Sequence, residues 1–399
     1  MARLSGKSLG SGYGVAGEAH NHLTVGDGRH WKFPPTARPA LKGGSVDFIC
    51  CKGQMTELKF TPDEREQIHD TPTQDIIHIQ GVENIHMRFR SIQVLRAAAA
   101  LSVLLYHYSV LSIGYAGVDV FFIISGFIMG TIGVRERPVD FIVKRLIRVV
   151  PVYWTITITM CALSLVPSLF ARFTFTYCQL IKSLLFIPYF NQDGKIWPLL
   201  IPGWTLNYEM FFYTIFFFGL IARKPIIFTS FLMLSFIISG VALSPPDPML
   251  RTWSNLLLLE FIAGLLLSQV VFVSGVRLGI GLIAFGIGAY AAGAVFADEE
   301  SNLRVLVLGT PALALVAGAV AIERAGRWPN IKFAETVGDA SYSLYLLHGI
   351  IIAFTRKFLN TTPAVEFLVV VAICVLLSYV SLQIFERPVA KLLRNAVLN

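Results

Sequence analysis

Charge is scarce in this chain: 15% of its 399 residues are Asp, Glu, Lys or Arg, while 55% are hydrophobic and the mean hydropathy is +0.64. A water-soluble enzyme of this length needs far more polar surface, so the composition excludes that class and indicates a polytopic membrane protein. Cysteine is thin as well. Cys50, Cys51, Cys161, Cys178 and Cys374 show no paired metal-ligand spacing. Three of them lie in or beside apolar runs and read as small hydrophobes, so neither a metal site nor a disulfide framework is expected. Histidine is scarcer still where it matters: six of the eight precede position 90, leaving only His107 and His348 in the apolar body. The first residues, MARLSGKSLGSGYG, lack the apolar core of a signal peptide. No solenoid-period repeat is visible, nor an inverted pair of broken apolar segments of the kind that marks transporters.

What is abundant is apolar sequence in runs of about 20 residues, the length a helix needs to cross about 30 Å of hydrocarbon. Ten are read from Ser91 onward: 91–112, 115–134, 149–168, 203–221, 226–243, 254–273, 278–296, 304–322, 339–355 and 364–384. The stretch 178–202 between them reads as a re-entrant or interfacial piece. The net charge of +8 comes from basic residues held in short segments between the runs, a topological signal and no nucleic-acid face. With the N-terminus inside, 16 basic residues fall in cytoplasmic segments and 7 opposite. The expected fold is therefore all-α, a membrane bundle of about ten helices with both termini in the cytoplasm.

Residues 1–86 are polar, rich in Gly, Pro and His, and contain no run able to span. They read as a disordered arm, a small soluble domain, or a product of start-codon choice. The last is preferred, because Met87 directly precedes RFRSIQVLR and the first span. The integral membrane domain is expected over 87–399.

Ionisable groups are costly in hydrocarbon and mark candidate sites. Arg96 and His107 stand eleven positions apart in the first run, RAAAALSVLLYH, which returns them to nearly one helix face about 16 Å apart. Arg96 either snorkels to the headgroups or serves a site. His107, too short to snorkel, is either a packing histidine or a general base near its working pH. Asp119, opening the second run in GVDVFFIISGF, either orients the His107 imidazole or stabilises its own helix N-terminus. Ser125 and Gly126 beside it permit close helix packing. Lys144, Arg145 and Arg148 precede Pro151 and fit either donor phosphates or positive-inside orientation. In PGWTLNYEMFFY, Trp204 belongs by default to an aromatic belt, while Glu209 is a carboxylate just inside a very aromatic helix. Glu260, in LLLLEFIAG, is a lesser candidate on the same ground. Ser341, Tyr345 and His348 of SYSLYLLHG share a face by i, i+4 and i+7 spacing, lining a pore or joining helices, with Tyr342 beside them.

Arg-x10-His, GVDxFFxxSGF, KRxxRxxPxY, W-x4-E, SYSLYLLH and FERP occur in that order. Together they make the chain resemble the acyltransferase-3 family of integral membrane acyltransferases, most of all the succinoglycan-type exopolysaccharide acetyltransferases, from about Met87 to Arg394. The resemblance implies transfer of an acyl group, commonly acetyl from acetyl-CoA as co-substrate with no bound cofactor, to a hydroxyl of a surface polysaccharide or its lipid-linked precursor. It implies a multi-pass protein of the bacterial inner membrane. His107 matches the family's essential histidine and Arg96 the arginine associated with acyl-CoA. Lys144, Arg145 and Arg148 would assist at the donor, and Asp119 or Glu209 would orient His107. Where the family often has two adjacent acids after W-S-L, this chain has Glu209 followed by Met210. Direct transfer and an acyl-histidine route both stay open, as does the rival reading of a proton-coupled transporter or flippase, or a non-catalytic assembly scaffold.

Overall fold

The structure is a computed structural model that describes residues 89–108, 110–164, 173–270, 274–294, 303–359 and 361–398, with five short strands before position 59. The chain divides into two compact units, Met1–His86 and Met87–Asn399. In the first, β1 (His22–Thr24) pairs antiparallel with β2 (His30–Lys32), and β3 (Ala37–Lys42), β4 (Ser45–Cys50) and β5 (Met55–Leu58) form an antiparallel sheet in that order. The expectations for the remainder of 1–86 lie outside the described residues.

Among the described residues the second unit is wholly helical. Its elements are α1 (Arg90–His107), α2 (Gly117–Thr131), α3 (Pro138–Ser164), α4 (Tyr177–Leu184), α5 (Trp204–Ile221), α6 (Pro225–Leu243), α7 (Pro248–Trp253) and α8 (Leu258–Gln269). There follow α9 (Val276–Gly293), α10 (Thr310–Arg324), α11 (Lys332–Asp339), α12 (Ser341–Phe358), α13 (Pro363–Ser381) and α14 (Arg387–Val397). Among the described residues, seven helical stretches are long and apolar enough to cross a membrane, or eight when the bent pair α11–α12, angled at 70°, counts as one span. Each of the ten runs read from the sequence falls on a helix, but α1 and α5 are outside that set. Both have 18 residues, about 27 Å of helix, so length is not what they lack. Their polar residues lower their hydropathy, and those are the residues singled out as site candidates: Arg96 and His107 on α1, Glu209 on α5. The stretch 178–202 forms the short α4 and then an extended segment, with no spanning helix.

The most buried of the candidate spans is α2, and it lies along α8. Gly126 and Gly264 make that contact possible. A Cβ on Gly126 would stand 2.1 Å from the Phe261 carbonyl oxygen, and one on Gly264 would stand 2.1 Å from that of Ile123. Around this crossing Phe122 stacks on Phe261 at 4.6 Å, and Phe212 contacts the same ring at 4.6 Å. Aromatic burial of this kind supplies packing, not selectivity between apolar neighbours, in a lipid-surrounded bundle.

Both ends of α1 are anchored. At its start the Glu323 carboxylate accepts from the backbone N–H groups of Arg90 (2.7 Å) and Ser91 (2.9 Å), an anion on the positive end of a helix dipole. The Arg90 side chain reaches Glu335 of α11 at 2.7 Å. At the other end Tyr108 donates to Glu366 at 2.9 Å, and Arg356 lies 3.6 Å from that carboxylate. Arg96 and His107 are thus held at set depths by contacts outside the apolar run. The cations that precede the third predicted run lie on the same helix as that run, because α3 starts at Pro138, well before 149. At 27 residues, about 40 Å, α3 exceeds the hydrocarbon thickness and carries Lys144, Arg145 and Arg148 on its first turns.

Candidate active site

A cavity of about 80 Å³, room for several water-sized groups, lies between α1, α2, α3, α5 and α12. It extends along α2 from Val118 to Met129, about 16 Å of helix. Six of the candidate residues meet there: Arg96, Ser125, Arg145, Arg148, Glu209 and Tyr345, with Ser341 and Tyr342 beside them.

One end is cationic. Arg148 is exposed there, while Arg145 is buried, its guanidinium 3.6 Å from Glu136 and 5.4 Å over the Phe141 ring. The Arg145 Nε is buried with no hydrogen-bond partner among the described residues, a donor aimed where no acceptor stands. Mid-length is a polar girdle. Arg96 Nε donates to the Ser341 hydroxyl at 3.1 Å, and Ser125 donates to Glu209 Oε1 at 2.9 Å. The Tyr213 hydroxyl donates to the same Glu209 oxygen. Ser125 therefore does more than permit close packing: it fixes the carboxylate. Glu209 accepts twice without a neighbouring acid, so its orientation needs no second carboxylate at Met210.

The other end is aromatic, lined by Phe121, Phe122, Thr205 and Tyr345. The Phe121 and Tyr345 rings meet edge to face at 5.9 Å. Beyond Tyr345, one turn along α12, comes His348, its ring 5.8 Å from that of Tyr345 and 4.9 Å from that of His107. His348 is buried and His107 exposed. His348 Nδ1 is 2.6 Å from the Tyr345 backbone oxygen. A carbonyl only accepts, so Nδ1 carries a proton. His107 and His348 thus lie behind the cavity's aromatic end, not on its wall.

Three expectations need correction, and Asp119 has a partner not foreseen. The Asp119 carboxylate, wholly buried, is held by Arg304, with Nη2 at 2.9 Å and Nε at 3.4 Å. The physical reason is charge: a guanidinium offers two parallel donors to a buried carboxylate, a stronger pairing than one imidazole N–H. Arg304, counted among the loop charges, is consequently drawn inward, over the Tyr115 ring at 5.2 Å. Lys144 pairs with Glu136 at 3.1 Å and does not line the cavity, although it stands one turn before Arg148 on α3; its ammonium is engaged by that carboxylate. Trp204 stands behind Phe122, edge to face at 6.5 Å, and His348 behind Tyr345, so neither lines the wall.

The sequence reading passed over Tyr213, Thr205, Arg304 and Glu386. Tyr213 was visible in principle as the i+4 neighbour of Glu209. Glu386, from the FERP motif, accepts from the Ser343 hydroxyl where residues Leu382–Glu386 form a turn of π-helix, a local widening common at functional sites. Arg304 meets Asp119 across 185 positions, which no local pattern announces. Glu260 is 1% exposed and neither of its oxygens has a hydrogen-bond partner among the described residues; it lies against Gly309, whose added Cβ would stand 3.1 Å from Oε1.

A cationic mouth, a carboxylate fixed by hydroxyls, and an imidazole pair behind an aromatic end suit an enzyme that moves a group between two partners meeting inside a membrane bundle. The comparisons agree. The model of the acyltransferase domain family matches residues 89–382, and the chain belongs to that family, the acyltransferase-3 integral membrane proteins. It is 37% identical, over 62% of its own length and 79% of the relative's, to the exopolysaccharide production protein ExoZ of Rhizobium meliloti (strain 1021). It is 26% identical, over 74% of its length and 82% of the relative's, to a Komagataeibacter xylinus protein named "Putative membrane-bound transacylase BcsY". No solved structure matches significantly.

Proposed function

We propose that this protein transfers an acetyl group from cytoplasmic acetyl-CoA to a hydroxyl of an exopolysaccharide or its lipid-linked precursor. It does so in the bacterial cytoplasmic membrane, as a ten-span bundle with both termini inside. The observation that carries the reading is the cavity lined by Arg96, Arg145 and Arg148 and, further along, by Tyr345, whose ring packs against His348 as that of His348 does against His107. Coenzyme A is cytoplasmic and its charged head cannot cross hydrocarbon. Arg145 and Arg148 would hold its phosphates, Arg96 would sit beside the threaded arm, and Glu209 would fix the girdle around it. His107, exposed beyond the aromatic end, would take the proton of the acceptor hydroxyl, a role that typically contributes about 10²–10⁴-fold. The acceptor oxygen bonds to the acyl carbon, the carbon–sulfur bond breaks, and the thiolate takes the proton.

The test is the O-acetyl content of the polysaccharide, read by proton NMR, in a deletion strain complemented with wild type or His107→Ala. Both proteins are shown to reach the membrane. Acetate restored by wild type alone is the expected result. Restoration by both removes His107 from the mechanism. Restoration by neither, with glycan export impaired, moves the flippase reading ahead.

A further inference from the structure

Tyr345 belongs both to the cavity wall and to the surroundings of the histidine pair. It is 7% exposed, and its ring lies between Phe121 of the aromatic end and His348. Its hydroxyl lies 3.3 Å from Thr205 Oγ1, which in turn lies 3.0 Å from the Pro202 carbonyl oxygen. Thr205 has one hydroxyl proton. That proton is shared between the Pro202 carbonyl and the tyrosine oxygen, both of which accept from Thr205. The tyrosine proton is then claimed by no stronger acceptor among the described residues. A phenolic O–H on the cavity wall, its ring held between those of Phe121 and His348 and its oxygen accepting from Thr205, is a preorganised donor for developing negative charge.

Resting on the acyl-transfer reading above, we propose that the Tyr345 hydroxyl is a catalytic group that stabilises the oxyanion formed at the thioester carbonyl. Attack of the acceptor oxygen forms a carbon–oxygen bond and moves the carbonyl electron pair onto oxygen, to which Tyr345 donates a hydrogen bond without giving up its proton. Collapse of that intermediate re-forms the carbonyl and breaks the carbon–sulfur bond. The thiolate leaves with the proton His107 took from the acceptor, so tyrosine ends as it began. Thr205 acts as a positioning residue, holding the phenol in place through a weak contact.

The experiment is thiol release from acetyl-CoA by the full chain in proteoliposomes, comparing wild type with Tyr345→Phe. The ring and its contacts with Phe121 and His348 are retained, and only the oxygen is lost. Removing one such donor is expected to lower kcat by about 10²–10³-fold. The KM for acetyl-CoA, the binding of coenzyme A itself and the melting temperature should stay at wild-type values. Thr205→Val serves as a second variant and should lower kcat less than Tyr345→Phe does. An active Tyr345→Phe with wild-type kcat overturns the proposal while leaving acyl transfer standing. A joint fall of kcat, coenzyme A affinity and melting temperature also overturns it, showing a packing role. A wild type that releases no thiol with any glycan acceptor overturns the acyl-transfer reading, and this inference with it.

Discussion

The imidazoles of His107 and His348 lie 4.9 Å apart, ring centre to ring centre, with a 32° tilt, the first on α1 and exposed, the second on α12 and buried. Because His348 Nδ1 is tied to the Tyr345 carbonyl at 2.6 Å, its ring cannot turn freely, and it forms a fixed wall for the His107 ring. We expect His348→Ala to lower the transfer rate by about 10²-fold by letting His107 drift, with donor affinity intact. His348→Phe, which restores a flat ring, should recover part of that loss. Single-turnover rates in proteoliposomes check this; equal rates for the alanine variant and wild type would show the wall to be dispensable.

Asp119 and Arg304 should behave as one unit. Breaking a buried pair leaves a stranded charge and costs about 3–5 kcal/mol. Asp119→Asn and Arg304→Gln are each expected to reduce the melting temperature and the yield of folded protein by similar amounts. The double variant should be no worse than either alone, since the interaction is lost once. A double variant showing the sum of the two single losses would mean that the pair is not the interaction being removed.

The cations of α3 divide by where they point. Arg148→Ala should raise the KM for acetyl-CoA by about 10-fold or more, the scale of a charge-assisted hydrogen bond, with little change in kcat. Lys144→Ala should leave that KM unaltered, because its ammonium is engaged by Glu136 outside the cavity. Initial-rate kinetics against acetyl-CoA separate the two, and a KM rise in both variants would return Lys144 to the donor site.

The crossing of α2 and α8 leaves no room for a methyl group. Gly264→Ala places a Cβ against a backbone oxygen of α2, and such overpacking costs about 1–3 kcal/mol. A lower melting temperature in detergent is expected. Since α2 forms one wall of the cavity, acetyl transfer at temperatures well below melting should fall too. A variant as stable and active as wild type would show that the helices separate at no cost.

Much of the fold was legible because its signals are local. Runs such as 226–243 and 364–384 are apolar throughout, and a membrane helix satisfies its own backbone, so length and hydropathy locate it without knowledge of neighbours. Where the reading fell short, the reason is also physical. The basic segment before Pro151 proved to be the first turns of α3, because hydropathy marks only the apolar part of a helix that begins in its charged turns. For α1 and α5, the polar residues that make them functional candidates keep them out of the set of clearly spanning helices.

The site divides in the same way. Arg96 with His107 on one stripe of α1, Ser341, Tyr345 and His348 on one face of α12, and Glu209 on α5 follow from helical spacing alone, and the structure places these residues at or behind one cavity. Spacing cannot say which residue from another helix arrives opposite. That decision gave Asp119 to Arg304, gave Lys144 to Glu136, and set Ser125 and Tyr213 on Glu209. The sequence by itself determined a helical membrane bundle and the residues rich enough in chemistry to matter, since the bilayer acts on each segment separately. Only the tertiary structure decided the partners, because in a low-dielectric interior a buried charge goes to whichever counter-charge packing brings within reach, however far away it lies in the chain.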